Sequence, residues 1–90
     1  MTVEGAKLLA IKALAYLAAD ADRLGRFLAQ TGIGPEELRA RAEDPDLLAG
    51  ILDFLLSDDG MVVDFCRSLE VPPEAPAQAR AQLPGYAPPM

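Results

Sequence analysis

Asp44-Pro45-Asp46-Leu47-Leu48-Ala49-Gly50-Ile51-Leu52-Asp53-Phe54-Leu55-Leu56-Ser57-Asp58-Asp59-Gly60 is the stretch that decides the fold class. Leu47, Leu48, Ile51, Leu52, Leu55 and Leu56 recur at spacings of three and four, the period of an α-helix and not the alternation of a strand. Asp44 before Pro45 is a start signal: a carboxylate that accepts from free N–H groups, then a proline whose fixed φ suits the first helical position. Ser57-Asp58-Asp59-Gly60 breaks this helix and caps the next, which is predicted from Met61 to about Glu70 with Val62, Phe65, Cys66 and Leu69 inward. Val71-Pro72-Pro73-Glu74 stops that one. A weaker sixth segment spans Glu74 to Leu83, where Pro76 is tolerated only within the first turn and Leu83 is the one large apolar residue.

Working upstream, Gly34-Pro35-Glu36-Glu37 repeats the proline-first pattern and opens a short helix reaching about Ala42. Before it, Asp20 and Asp22 introduce a helix carrying Leu24, Phe27 and Leu28, closed by Gln30-Thr31-Gly32 with glycine in the left-handed conformation and Ile33 beneath the turn. The first helix runs from an N-cap at Thr2 to about Ala19. Only Glu4, Lys7 and Lys12 interrupt Val3, Leu8, Leu9, Ile11, Leu14, Tyr16, Leu17 and six alanines, a pattern that predicts burial on most sides. The last seven residues, Pro84 to Met90, hold three prolines and a glycine and are expected to form a Pro-rich tail, extended or disordered.

Composition agrees with this reading. The 90 residues include 16 Ala and 14 Leu but only 4 Val and 3 Ile, and helices favour the first pair while strands favour the second. The expected architecture is therefore all-α: one compact domain over residues 1–83, with five short helices and a weaker sixth. Loops of roughly two to five residues favour antiparallel neighbours.

Charge and residue usage narrow the chemistry. The sequence has no histidine and one cysteine, so imidazole base catalysis, histidine zinc sites and intramolecular disulfides are outside its means. Its formal charge of −6 disfavours nucleic acid as a default partner. The longest early uncharged runs, Leu8–Ile11 and Ala13–Ala19, fall far short of the roughly 20 apolar residues that cross a bilayer. Glu4 stands where a secretory signal has positive charge, and a lone thiol suits a reducing compartment, so a cytoplasmic setting is expected.

Four features compete for a functional role. Phe27 to Leu38 resembles both a helix-turn-helix, with Ala29, Gly32 and Ile33 at the turn, and a helix-hairpin-helix, with its Gly-hydrophobic-Gly hairpin. A nucleic-acid module over residues 23–41 would use Arg39 and Arg41, with Arg23 and Arg26 nearby. Glu36 and Glu37 oppose that use, since like charges near a surface cost about 1 kcal/mol per contact, and a structural turn is the favoured reading. The acids at Glu43-Asp44-Asp46 and Asp58-Asp59 with Asp64 lack the alternate spacing and closing glutamate of a calcium loop and read as helix-start residues. Cys66 beside Arg67 invites a reactive-thiol reading, but its place next to Phe65 and Leu69 favours a small buried hydrophobe. No catalytic, cofactor or metal residue is assigned.

The apolar first helix is the fourth feature. A 90-residue monomer has little to cover it with, so Leu9, Ala13, Tyr16 and Leu17 are the candidate interface, and a non-enzymatic interaction module that meets a protein partner or a second copy is the expected function.

Four segments carry a family resemblance: Ala13-Leu14-Ala15-Tyr16-Leu17-Ala18; Asp22-Arg23-Leu24-Gly25-Arg26-Phe27-Leu28; Thr31-Gly32-Ile33-Gly34-Pro35-Glu36-Glu37-Leu38-Arg39; and Leu52-Asp53-Phe54-Leu55-Leu56-Ser57-Asp58-Asp59. Together they resemble a family of short alphaproteobacterial proteins of unknown function, over roughly Ala6 to Leu83. The resemblance implies a small helical protein in a bacterial cytoplasm and transfers no catalytic or binding residue.

Overall fold

Six helices account for the secondary structure in the computed structural model, which describes residues 1–84: α1 (Val3–Ala18), α2 (Ala21–Thr31), α3 (Pro35–Ala40), α4 (Pro45–Leu56), α5 (Asp59–Leu69) and α6 (Ala75–Ala81). No strand occurs among the described residues. The tail expected over 84–90 lies, beyond Pro84, outside them.

Caps fix the helix starts. The Thr2 hydroxyl accepts from the Gly5 N–H at 3.0 Å, Asp20 from Asp22 and Arg23, Asp44 from Asp46 and Asp58 from Met61, so each side chain satisfies donors that a first turn leaves free. Because Asp58 is the cap, α5 begins at Asp59, two residues earlier than Met61 had suggested. The α3 helix stops at Ala40, short of Ala42. There the Arg41 N–H still bonds the Glu37 carbonyl, but the Asp44 N–H bonds the Arg41 carbonyl at 2.8 Å and closes a turn that delivers Asp44 to its cap. The sixth helix forms with Pro76 in its first turn, over Ala75–Ala81 and not the whole of Glu74 to Leu83.

The core is built around α4. Seven of its twelve residues are buried: Leu47, Leu48, Ala49, Ile51, Leu52, Phe54 and Leu55. Phe54 turns inward, its ring edge-on to Phe27 of α2 at 5.5 Å between centroids, whereas Leu56 of the expected stripe is only half-buried. Against α4 lie α1 and α6, which also contact each other. Both present small residues: Ala6, Ala10 and Ala13 of α1 are fully buried, and Ala75, Pro76 and Ala79 of α6 are buried as well. Alanines at these positions let helix axes approach closely, so a short helix with one large apolar residue, Leu83, still packs. Every fully or nearly buried side chain among the described residues is apolar.

α1 corrects the expectation of burial on most sides. One face, Ala6, Leu9, Ala10, Ala13 and Leu17, is inside; the opposite face is open, with Leu8 60% exposed, Val3 45% and Ile11 37%. The helices α2, α4 and α6 cover one side of α1 and leave the other open.

Two of the described residues hold the left-handed conformation, and they make opposite predictions. Gly32 has φ 74° at the end of α2 with open space around its α-carbon, so Gly32→Ala meets no clash and is expected to cost about 1 kcal/mol from backbone conformation alone. Glu70 has φ 57° at the end of α5, where a non-glycine residue is strained. Glu70→Gly is therefore expected to raise the melting temperature, and Gly32→Ala to lower it, each by roughly 5 °C in a domain of this size. Thermal unfolding followed by circular dichroism checks both signs.

Candidate interaction surface

The residues proposed as the interface separate by face. Leu9, Ala13 and Leu17 are buried by the chain's own helices, so they hold the bundle together and offer nothing to a partner. Tyr16 is half-buried and fixed by three contacts. Its hydroxyl donates to Asp64 Oδ2 at 2.7 Å, its ring meets Phe65 edge-on at 5.5 Å, and the Arg23 guanidinium lies 3.9 Å from the ring centroid. This cluster ties α1, α2 and α5 together. Arg23 Nη1 also reaches to 3.6 Å from Asp64, whereas its buried Nε, 4.0 Å from Asp20, has no hydrogen-bond partner.

The surface that remains open on α1 is the other face. Of the five large apolar residues exposed among the described residues, Met1, Val3, Leu8 and Ile11 fall at the start of the chain and only Val63 lies elsewhere. Leu8, Ile11, Ala15 and Ala18 follow at spacings of three, four and three, so they form one continuous outward strip. Two clefts border it. One, lined by Glu4, Lys7, Leu8, Ile11, Glu43 and Leu48, runs toward the start of α4. The other, about 350 Å³, lies between α1, α2 and α3 and is mostly apolar, with Leu14, Ala18, Leu24, Pro35 and Leu38 as walls and Arg39 at its rim. The spacing that reveals this strip was present in the sequence; it was masked because the inward strip has the same period.

The helix-turn-helix-like segment folds as a turn, with Gly32 left-handed and Ile33 half-buried against the core. Arg41, one of its two candidate contacts, is occupied. It donates to Glu37 Oε2 at 2.9 Å and to Asp44 Oδ2 at 3.0 Å, and these bonds raise its already high pKa. Arg39 is exposed. Glu36 and Glu37 lie in the first turn of a helix of only six residues.

The acids serve the helix starts. Asp20, Asp44 and Asp58 are caps, and Asp22, Glu36, Glu37, Asp46 and Asp59 lie in first turns. Among the described residues no group of three or more Asp, Glu, Cys or His side chains converges as a metal site would require. Cys66 is buried on the inner face of α5, and burial, followed by the Glu74 charge, pushes its thiol pKa up. No described helix is long and apolar enough to cross a membrane.

The model of the family described as "Protein of unknown function (DUF3572)" matches residues 3–86. The chain belongs to that family. The match extends from the first residue of α1 to beyond α6, so both faces of α1 lie within the family's domain. No curated protein and no solved structure matches the chain.

Two predictions follow the titratable groups. Backbone N–H bonds, from Arg23 to Asp20 and from Asp46 to Asp44, hold both carboxyls below their ordinary value of 3.8, with the Arg41 side chain adding to the effect at Asp44. A depressed pKa favours the folded state above the ordinary value and withdraws that support as pH falls through the folded value. The melting temperature is thus expected to drop on acidification below about pH 4, and Asp20→Asn with Asp44→Asn should flatten that drop. The second concerns Cys66: at pH 8 a thiol reagent should label the native chain roughly tenfold or more slowly than the chain in denaturant.

Proposed function

We propose that this protein is a non-enzymatic interaction module whose contact surface is the outer face of α1. One observation carries the reading. Four of the five large apolar residues exposed among the described residues cluster within the first eleven positions, and Leu8, at 60% exposure, is the most open of them. Scattered exposed apolar residues are ordinary, but a strip with one helical period, bordered by two clefts, has the form of a helix that packs into a partner. The acidic remainder of the surface keeps the chain dispersed and selects against acidic partners. A buried free thiol fits the bacterial cytoplasm as the setting of this function. The charge pattern favours protein over nucleic acid, because Arg41 is neutralised by two carboxylates of its own chain.

A photo-crosslinking side chain placed at position 8 in the full chain, in living cells, tests this. Discrete protein adducts are expected from position 8 and not from position 63 on α5, an exposed apolar position without apolar neighbours. Equal adducts from both, or none from position 8, would overturn the proposal.

A further inference from the structure

We infer that the partner of this face is a second copy of the chain, docked antiparallel through α1 about a two-fold axis at Leu8. The inference rests on the proposed contact surface and specifies what covers it. Three features of the outer face point to a self-complementary contact.

The first is the placement of charge. Glu4 and Lys12 each lie four residues from Leu8, about 6 Å along the helix axis in opposite directions. Both are exposed, and neither takes part in any ion pair among the described residues. Eight residues apart on one helix, they are too distant to pair with each other. A two-fold axis through Leu8 brings Glu4 opposite the second copy's Lys12 and, by symmetry, Lys12 opposite the second copy's Glu4. Two ion pairs then flank a Leu8–Leu8 contact. An isologous interface requires this reciprocity, in which residue i meets j and j meets i.

The second is shape. The same axis places Ile11 level with the second copy's Gly5, which has no side chain of its own and is flanked by the Thr2 hydroxyl and the Met1 side chain. Ile11 and Gly5 are each three residues from Leu8, so the pairing follows from the register that the charges select.

The third is the distribution of net charge. Residues 1–19 contain Glu4, Lys7 and Lys12, so the formal −6 resides entirely in the rest of the chain. Two copies that meet through α1 avoid the repulsion that meeting through their acidic faces would bring. Pairing i with 16 − i overlaps the two helices only over residues 3–13, so Leu8 and Ile11 are covered while Ala15 and Ala18 stay open, and the contact is smaller than the roughly 800 Å² per partner of a standard interface. The dimer is accordingly weak and transient.

Sedimentation equilibrium of the full chain from roughly 10 to 500 µM reads the association. The average mass is expected to rise with concentration in the wild type. Leu8→Glu should weaken association roughly tenfold or more, since it buries two unpaired carboxylates at the axis. The register is tested by exchange of charge. Glu4→Lys alone and Lys12→Glu alone each set like charges opposite one another twice, and each should weaken association roughly fivefold. Glu4→Lys with Lys12→Glu restores opposite charges across the axis and should return the affinity to within about twofold of the wild type. All three positions are exposed, and circular dichroism verifies that each variant keeps its helix content. A wild type that stays monomeric at the highest concentration, or a double variant no tighter than the single ones, overturns the inference. If position 8 crosslinks a different protein in cells while the pure chain stays monomeric, self-docking is refuted and the contact surface on α1 stands.

Discussion

Close packing between the alanine row of α1 and the leucine-rich surface of α4 is the contact on which the other helices depend. Ala6, Ala10 and Ala13 carry no side chain beyond Cβ, so α4 can come near enough for Leu48, Ile51, Leu52 and Leu55 to fill the space on both sides of the row. With that pair in place, α6 closes over the groove between them, and α2 and α5 pack against their flanks. The arrangement gives a 90-residue chain an interior that is apolar throughout the described residues, at a length where little surface can be hidden.

Helix positions were legible because their causes are local. Thr2, Asp20, Asp44 and Asp58 bond N–H groups two or three residues away, and Gly32 turns the chain where a left-handed residue was needed. Such signals survive in a bare sequence. What stayed weak was α6, whose burial comes from Ala75, Pro76 and Ala79, residues that register as small and not as apolar. Its anchor is remote: Arg80, only 12% exposed along its side chain, donates to Asp53 at 2.7 Å across 27 residues of sequence. Neither contribution has a periodic signature.

The candidate surface shows the same limit in another form. Sequence reasoning named Leu9, Ala13 and Leu17, which the fold buries, and passed over Leu8, Ile11 and Ala15, which it leaves open. Leu9, Ala13 and Leu17 share a helical period with Leu8, Ile11 and Ala15, and hydrophobicity alone ranks the two strips nearly equal. The difference is made by size. Alanine dominates the inward strip because another helix must approach it, and that preference becomes visible only when α4 and α6 are known to lie there. Tyr16 sits at the border of the two strips, which explains why its ring is packed while its hydroxyl reaches Asp64 at the surface.

An interior composed wholly of apolar groups has a further consequence. Leucine and alanine surfaces reward any close contact almost equally, so they drive collapse without distinguishing one helix arrangement from its near alternatives. Discrimination falls to the periphery, where Arg80 meets Asp53, Arg23 covers Tyr16, and Asp64 receives the tyrosine hydroxyl. Two of these polar latches, Arg80 to Asp53 and Tyr16 to Asp64, join residues 27 and 48 positions apart, and hydrogen bonds demand a more specific geometry than apolar contact does. Concentrated salt would act on the latches before the core. The first property to be lost is then uniqueness of packing: a collapsed, helix-rich chain whose helices slide over one another while their total content is unchanged.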